Sequence, residues 1–379
     1  MTFSFCIRTA SLLACLAAHA EKSIQSRIAD RSFPSVFQAW NPVENIAGED
    51  PLQSLVRHDL YFHGVESFRL EWDQKPVGLA TGFIPESIER ARTYRQTLLE
   101  KNPNLILLAE IRYRGGPKNF LPANHPWWKR NADGKTILGW EEGGYLLLDF
   151  SNPEFRRHVA HRCGEVFESG VVDGIMLDWW RDDDDRIELI RAIRREIGED
   201  ALILGNSNDR KIPRNAPYVN GLFMECTQSK TAEDWAHIAE TLTWAESSLR
   251  EPRINCLETW YHQSRGDLPL MRLTTTLALT RSDGYCLFAD PNPLPSSDHL
   301  HDWYAFWDAP LGRPLGRGKE QKDGSYHREF SGGTAVYNPM GNPPVQLSFD
   351  EPRRSQAFQN IGNSHTVPGG EGDLLLKEL

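Results

Sequence analysis

Short apolar runs of strand character alternate with longer segments of helical spacing along most of the chain. Strands are predicted over residues 33–40, 65–72, 104–112, 171–177, 201–208, 218–226, 253–261 and 284–290. Helices are predicted over residues 50–57, 85–101, 153–168, from the acidic run 182–185 to residue 197, and over 232–249 and 268–280. Strands that alternate with helices in this way predict an α/β fold, the (β/α)8 TIM barrel. A doubly wound sheet is the alternative, but no Gly-rich phosphate fingerprint follows the first strand.

Two segments fall outside this alternation. After the third strand, residues 113–150 form a long excursion rich in Gly, Pro and Trp, and a loop of that length is usually functional. From residue 313 onwards, short strands over 325–336 and 345–349 are separated by Gly and Pro turns, with no helix between them. The sequence therefore predicts a catalytic barrel over residues 21–312 and a small C-terminal β appendage over residues 313–379.

Residues 1–20 are expected to be a signal peptide. They contain one arginine, an apolar stretch over 9–18, and Ala18-His19-Ala20, the small-x-small pattern of a cleavage site. The apolar stretch is too short to span a bilayer, and no later segment is long and apolar enough to do so. A lipoprotein signal at Cys15 is disfavoured because little apolar length precedes it. The mature protein is thus predicted to be secreted or periplasmic, without a membrane span.

Charge and cysteine content narrow the possible functions. The net charge is −10, and without a basic stripe this disfavours binding to nucleic acid or to an anionic membrane. Four cysteines follow the signal segment, and buried free thiols are favoured over disulfides because the last three lie in apolar runs. No CxxC zinc spacing occurs. The acids at 182–185 fit a helix N-terminus better than a metal site, so no metal and no cofactor is predicted.

Polar residues end several of the predicted strands, and in a barrel these ends converge on one mouth. The clearest case is the stretch 171–180, whose apolar run stops at Asp178 and is followed by Trp179 and Trp180. Glycoside hydrolysis needs two carboxyl groups across the scissile bond and aromatic faces for the sugar. Carboxyl groups are available among the strand-end residues Glu71, Glu110, Asp178, Asn206, Glu225, Glu258 and Asp290, and tryptophans lie beside several of these strand ends. The alternative for Asp178 is that it only caps the following helix.

A family resemblance supports this interpretation. Residues 147–156 (LLDFSNPEFR) and 172–178 (VDGIMLD) resemble glycosyl-hydrolase-like family 15, which is related to the α-glycosidase and α-galactosidase group. Residues 326–330 (YHREF) and 333–339 (GTAVYNP) are similar to the β domain that ends many of those enzymes. The resemblance covers nearly the whole mature chain and implies a barrel glycosidase.

The resemblance also implies roles for individual residues. The nucleophile of the wider group is an Asp at the end of strand four, which matches Asp178. The acid of the α-galactosidase branch ends strand six, which matches Glu225, although that branch has Asp there. The α-amylase branch has its acid Glu on strand five, where this chain offers Asn206 instead. Another clan of barrel glycosidases has its two catalytic Glu residues on strands four and seven. Glu258 matches the Glu on strand seven, but Asp178 does not match the Glu on strand four. Glu258 is therefore kept as the substitute acid.

Substrate contacts are predicted for tryptophans and polar side chains at or near the strand ends: Trp40, Glu71, Glu110, Arg112, Trp179, Trp180, Asn206, Trp260 and Asp290. Glu110 and Glu71 could instead pair with Arg112 and Arg69, and Asp290 could only shape a turn before Pro291. The expected partner is a carbohydrate, and the favoured activity is retaining hydrolysis of O-glycosidic bonds. A carbohydrate-binding barrel without turnover is the alternative. A metal-dependent hydrolase lacks support, since no early strand carries His-x-His.

Overall fold

The computed structural model describes residues 21–46, 48–261, 264–290 and 299–378, so the predicted signal peptide lies outside the described residues. Eight parallel strands form the central sheet: β1 (Phe37–Ala39), β2 (Leu60–Gly64), β3 (Ile106–Glu110), β4 (Gly174–Leu177), β5 (Leu202–Asn206), β6 (Gly221–Cys226), β7 (Cys256–Thr259) and β8 (Tyr285–Asp290). Each strand pairs with the next in chain order. A parallel bridge between Val36 and Cys286 joins the two ends of the sheet. The sheet is therefore closed, which confirms the predicted barrel.

The described helices are α1 (Ile24–Asp30), α2 (Pro51–Val56), α3 (Pro85–Lys101), α4 (Pro153–Glu168), α5 (Asp184–Ile197), α6 (Ala232–Ser248) and α7 (Leu268–Arg281). Their starts follow local capping chemistry. The Asn152 side chain accepts hydrogen bonds from the first backbone N–H groups of α4, and Thr231 and Asp234 form a capping box on α6. Asp183 caps α5, so the acidic run is a helix N-terminus, and the described residues contain no cluster suited to a metal ion.

The second strand was predicted wrongly. It occupies Leu60–Gly64, whereas Val65–Phe68 is a 3₁₀ turn. The apolar residues Val65 and Phe68 are both buried and lie three positions apart, which is the spacing of a helical turn and not of a strand. Glu71 consequently does not end a barrel strand.

The base of the barrel is fixed by a buried ionic cluster. Asp173, just before β4, is paired with Arg27 of α1 and with Arg95 of α3, the latter at 2.7 Å. The second oxygen of Asp173 accepts the backbone N–H of Leu107 in β3 at 2.9 Å. Such a buried carboxylate is tolerated because each oxygen has a donor. The cluster joins two helices to two strands at the end opposite the mouth.

A further prediction about the interior holds in the described part of the chain. The free cysteines Cys163, Cys226, Cys256 and Cys286 are all buried, so the expectation of unpaired thiols is confirmed. No described helix has the length and apolar character needed to cross a membrane.

A second, antiparallel sheet follows the barrel. Its main strands are β9 (Tyr326–Phe330), β10 (Gly333–Asn338), β11 (Val345–Ser355), β12 (Ile361–Val367) and β13 (Glu371–Lys377). The spatial order is 319–320, β9, β10, β13, β11, β12. The predicted C-terminal β appendage is therefore confirmed, although its last two strands were not foreseen.

Helix α7 of the barrel packs against the C-terminal antiparallel sheet. Arg328 of β9 is buried and donates to the carbonyl oxygens of Leu279 and Ser282, at 2.9 and 2.7 Å. Gly372 of β13 lies so close to α7 that a Cβ atom there would fall 1.9 Å from Oγ1 of Thr276. The backbone of the sheet thus packs directly on the helix.

This close approach predicts a stability effect. Gly372→Ala should lower the free energy of unfolding by about 1–3 kcal/mol, because the new methyl group overpacks the contact with Thr276. Gly316→Ala is the control, since nothing lies within 4 Å of a Cβ there, and it should stay within about 0.5 kcal/mol of the wild type. Urea denaturation measures both. Equal midpoints for the two variants would contradict the packing described.

Candidate active site

The C-terminal ends of successive barrel strands bring a set of polar side chains together. Glu225 on β6 and Glu258 on β7 are register partners, and Asn206 ends β5 beside them. Asp178 directly follows β4, and Glu110 ends β3. Parallel strands all present this end at the same mouth. The predicted strand-end cluster therefore exists for these five residues.

One amide links the two predicted catalytic carboxyl groups. Nδ2 of Asn206 donates to Oδ1 of Asp178 and to Oε2 of Glu225, each at 2.8 Å. The two acceptor oxygens are thus at most about 5.6 Å apart, because both lie 2.8 Å from one nitrogen. Oδ1 of Asp178 also accepts the backbone N–H of Trp179 at 2.9 Å. Oδ2 of Asp178 has no donor among the described residues and is the oxygen left for other chemistry.

Glu258 lies deeper than the other acids. It is fully buried, and its two oxygens lie 3.0 and 2.8 Å from Nδ1 of His299. Nε2 of the same ring is 4.0 Å from Oε1 of Glu225. A carboxyl group with no exposed surface cannot contact a glycosidic oxygen in this arrangement, so the structure places Glu258 behind the site and not in it.

His299 is the site residue that sequence reasoning missed. It belongs to no predicted strand end, because it follows β8 across residues 291–298, which lie outside the described part of the chain. The available signal was the pair of histidines at 299 and 301, placed just downstream of the last strand.

Burial and neighbouring negative charge raise the pKa of both Asp178 and Glu225. Burial, and next the charge of Glu110, raise the pKa of Asp178 to about 6, although Asn206 and the Trp179 N–H oppose the shift. Burial raises the pKa of Glu225 to about 7, with further contributions from Asp178 and Glu258 and opposition from His299. Both groups therefore hold a proton to higher pH than they would in water, and they titrate as a coupled pair.

The four predicted tryptophans have different surroundings. Trp179 is 44% exposed, with the Arg114 guanidinium 4.3 Å from the centre of its ring. Trp180 and Trp260 are buried, at 1% and 6% exposure, and so form the walls of the site and not an open stacking surface. Trp40 is half-buried and donates from Nε1 to Oε2 of Glu110 at 3.0 Å.

Glu110 has a second partner in Arg112, whose guanidinium lies 3.6 Å away. This is the ion pair that the sequence left open. Arg112 also covers the ring of Tyr145 from the long excursion after β3. Arg112 and Glu110 therefore connect that excursion to the mouth.

Left-handed backbone is concentrated at this end of the barrel. The φ angles of the non-glycine residues at strand ends lie between 51° and 59°, at Trp40, Trp179, Asn208 and His299. Residues other than glycine rarely adopt this backbone conformation, and those that do are often found at functional sites. At Trp179 the conformation is held by its carbonyl oxygen, which accepts from Tyr113 at 2.9 Å and from Arg186 at 2.8 Å.

Two predicted contact residues are not brought into the cluster. The Glu71 side chain is 60% exposed and pairs with Arg90 of α3, not with Arg69. Asp290 ends β8 but is bound by Arg265, from Nε at 2.8 Å and from the backbone N–H at 3.0 Å. Pro291, which the turn alternative needs, lies outside the described residues.

The fold was compared with known proteins. No family model matches the sequence, and no curated protein matches it either. Solved structures do match. The maltogenic α-amylase of Thermotoga neapolitana is 14% identical, with a TM-score of 0.52, over 91% of this chain and 98% of that one. The α-amylase of Lactobacillus plantarum is 12% identical, with a TM-score of 0.54, over 94% of this chain and 100% of that one.

A third match is the cyclic α-maltosyl-(1→6)-maltose hydrolase of Arthrobacter globiformis, 12% identical, with a TM-score of 0.52, over 94% of this chain and 100% of that one. The chain has the fold of these barrels. At such identities the likeness concerns the (β/α)8 barrel and its C-terminal β domain. The more specific resemblance to glycosyl-hydrolase-like family 15 stays a prediction.

The raised pKa values predict a pH-dependent cost in stability. Since the folded state binds more protons than the unfolded state between roughly pH 4 and pH 7, ionising Asp178 and Glu225 lowers stability as pH rises through that window. Asp178→Asn and Glu225→Gln should therefore raise the melting temperature at pH 8 and leave it unchanged near pH 3.5. Calorimetry at both pH values measures this.

The control for that experiment is Asp200→Asn, at an exposed carboxylate outside the mouth. It should leave the melting temperature unchanged at both pH values. A melting temperature at pH 8 that is lower in both mouth variants than in the wild type would show that these carboxylates stabilise the fold.

Proposed function

We propose that the protein is a retaining glycoside hydrolase that cleaves O-glycosidic bonds of an oligo- or polysaccharide. The observation that carries this proposal is the pair of carboxyl groups bridged by Asn206. Retaining enzymes hold their two carboxyl groups about 5–5.5 Å apart, whereas inverting enzymes leave roughly 6.5–9.5 Å for a water molecule. The limit of about 5.6 Å between the bridged oxygens favours the retaining arrangement.

In the proposed mechanism Oδ2 of Asp178 attacks the anomeric carbon while the proton of Glu225 passes to the leaving oxygen. The products of this step are a glycosyl ester on Asp178, a Glu225 carboxylate and the departing sugar, whose hydroxyl group now carries the proton. Glu225 then takes a proton from water, which attacks the anomeric carbon and releases Asp178. The raised pKa of Glu225, about 7, supports its role as the acid, because it lets the group carry a proton near neutral pH.

The exposed ring of Trp179, directly after Asp178, is the proposed stacking surface for the sugar next to the scissile bond. The structural neighbours are amylases and a maltosyl-maltose hydrolase, so α-linked glucans are the first substrates to test. Strand β5 ends in Asn206 where the α-amylase pattern has its acid. α-Galactosides therefore belong in the same panel.

Two variants test the roles on whichever glycoside the wild type cleaves. Asp178→Ala should lower turnover by roughly a thousandfold or more, since no covalent intermediate can form. Added azide should enter the vacated space and restore activity, giving a glycosyl azide of inverted configuration. Glu225→Ala should retain formation of the intermediate from aryl glycosides with good leaving groups and lose the cleavage of natural glycosides. Product analysis by NMR and burst kinetics measure these outcomes.

Glu71→Ala is the matched control, because it removes a carboxylate that was predicted to contact the substrate but that pairs with Arg90 instead. It should leave kcat/KM unchanged. Near-normal turnover in Asp178→Ala would exclude the mechanism. Sugar binding without turnover in the wild type would favour a carbohydrate-binding barrel.

We also propose that residues 1–20 direct export and are removed after Ala20. Support comes from the small-x-small pattern and from the first residue after it, since Glu21 is already engaged with the buried Arg27 and Arg95. N-terminal sequencing of exported protein should begin at Glu21. A full-length chain retained in the cytosol would contradict export.

A further inference from the structure

Glu258 and His299, here called the Glu258–His299 pair, lie directly behind the proposed acid. Carboxylate oxygens of an ionised Glu only accept hydrogen bonds, so the proton between the two groups belongs to Nδ1 of His299. This orientation leaves Nε2 as the atom that faces Glu225, 4.0 Å from Oε1. A fully buried carboxylate, a histidine and the acid thus form one chain of contacts.

The imidazole of His299 is held firmly in that orientation. The rings of Trp40 and Trp260 lie on it, with centroid distances of 4.9 and 5.4 Å. Its carbonyl oxygen accepts from Nδ1 of His301 at 3.1 Å, and Nε2 of His301 lies 2.9 Å from Nε2 of the buried His58. The left-handed φ of 59° at His299 is maintained by these contacts. These contacts hold the His299 side chain in one orientation, as is typical of a functional residue.

We propose that the Glu258–His299 pair is a positioning device for Glu225, in which Glu258 orients the imidazole and the imidazole stabilises the Glu225 carboxylate between the two halves of the reaction. The role in turnover rests on the proposed function. The imidazolium form of His299 presents Nε2–H to the carboxylate that Glu225 becomes after it has given up its proton. No proton need pass between the two groups for this effect.

The charges around Glu225 show why such a device is needed. Asp178 after β4 and Glu258 on β7 both disfavour its ionisation, as does burial. Asn206 on β5 and His299 oppose them, and His299 has the larger effect of the two. Glu110 adds negative charge next to Asp178. Without His299, Glu225 would keep its proton too tightly to serve as the base of the second step.

The decisive experiment is a carbon-13 titration of the Glu225 carboxyl group in the folded, full-length protein, assigned by comparison with Glu225→Gln. His299→Gln should move the midpoint upward from about 7 by about one pH unit, the size expected when a cation at this distance is lost. Glu258→Gln should move it upward by less, because the imidazole then loses the carboxylate that orients it towards Glu225. The control His237→Gln, on the exposed face of α6, should leave the midpoint unchanged.

The kinetic arm uses the pH dependence of kcat/KM. In His299→Gln the alkaline limb for a natural glycoside should move upward with the midpoint of Glu225. The limb for an aryl glycoside with a good leaving group should not move, because that substrate needs little protonation. If His299 had only a structural role, His299→Gln would change the melting temperature or the KM for both substrates. The alkaline limbs of the two pH profiles would then not separate.

Two outcomes would overturn the proposal. One is an unchanged Glu225 midpoint in a folded His299→Gln variant. The other is a downward shift in Glu258→Gln, which would show that Glu258 acts on Glu225 only as a like charge. If His299→Gln does not fold, the titration of Glu225 in Glu258→Gln is the deciding measurement. Because the titration needs no substrate, the expected shifts in a protein that cleaves no glycoside would uphold the pair and refute the proposed function alone.

Discussion

The site depends on two carboxyl groups that are held close together by a neutral amide. Asn206 satisfies one oxygen of Asp178 and one of Glu225 without adding charge. A lysine or arginine in its place would favour the ionised form of both acids, and the proton that an acid catalyst needs would be lost. With an amide, burial and neighbouring negative charge raise the pKa of both acids despite the two hydrogen bonds. The pair can therefore retain the proton that acid catalysis needs.

The surrounding structure serves to keep that geometry in place. Consecutive strands β4 to β7 deliver the acids and the amide at one level, and the ionic cluster around Asp173 fixes the opposite end of β4. The rim residues adopt left-handed backbone only because specific partners hold them, as Tyr113 and Arg186 hold the carbonyl oxygen of Trp179. The mouth is therefore the strained end of the barrel and the base is its anchored end.

Much of this was readable from the sequence because the signals were local. Helix starts followed from caps such as Asn152, and Asp178, Asn206 and Glu225 were found because each ends an apolar run. The same reasoning misplaced Glu71, because Val65 and Phe68 gave an apolar run of helical spacing that was taken for a strand.

Other features depend on contacts that no local pattern encodes. Trp179 and Trp180 are adjacent indoles, yet one is exposed and the other buried, because the left-handed turn at Trp179 redirects the chain. Glu258 lies near the end of its strand just as Glu225 does, yet it is fully buried and contacts His299, which comes from a distant part of the sequence. Pairings between distant segments of this kind require the folded structure.

The order of the C-terminal sheet has a consequence for biosynthesis. Strand β13 is the last of the described strands along the chain, but it lies between β10 and β11 in the middle of the sheet. Until it arrives, β10 has no partner on that side, and the face of α7 that Gly372 covers is bare. The nascent protein therefore exposes one face of α7 and the unpaired edges of β10 and β11 at the same time, and unpaired strand edges are prone to aggregation. The C-terminal sheet therefore cannot be completed before β13 has been synthesised.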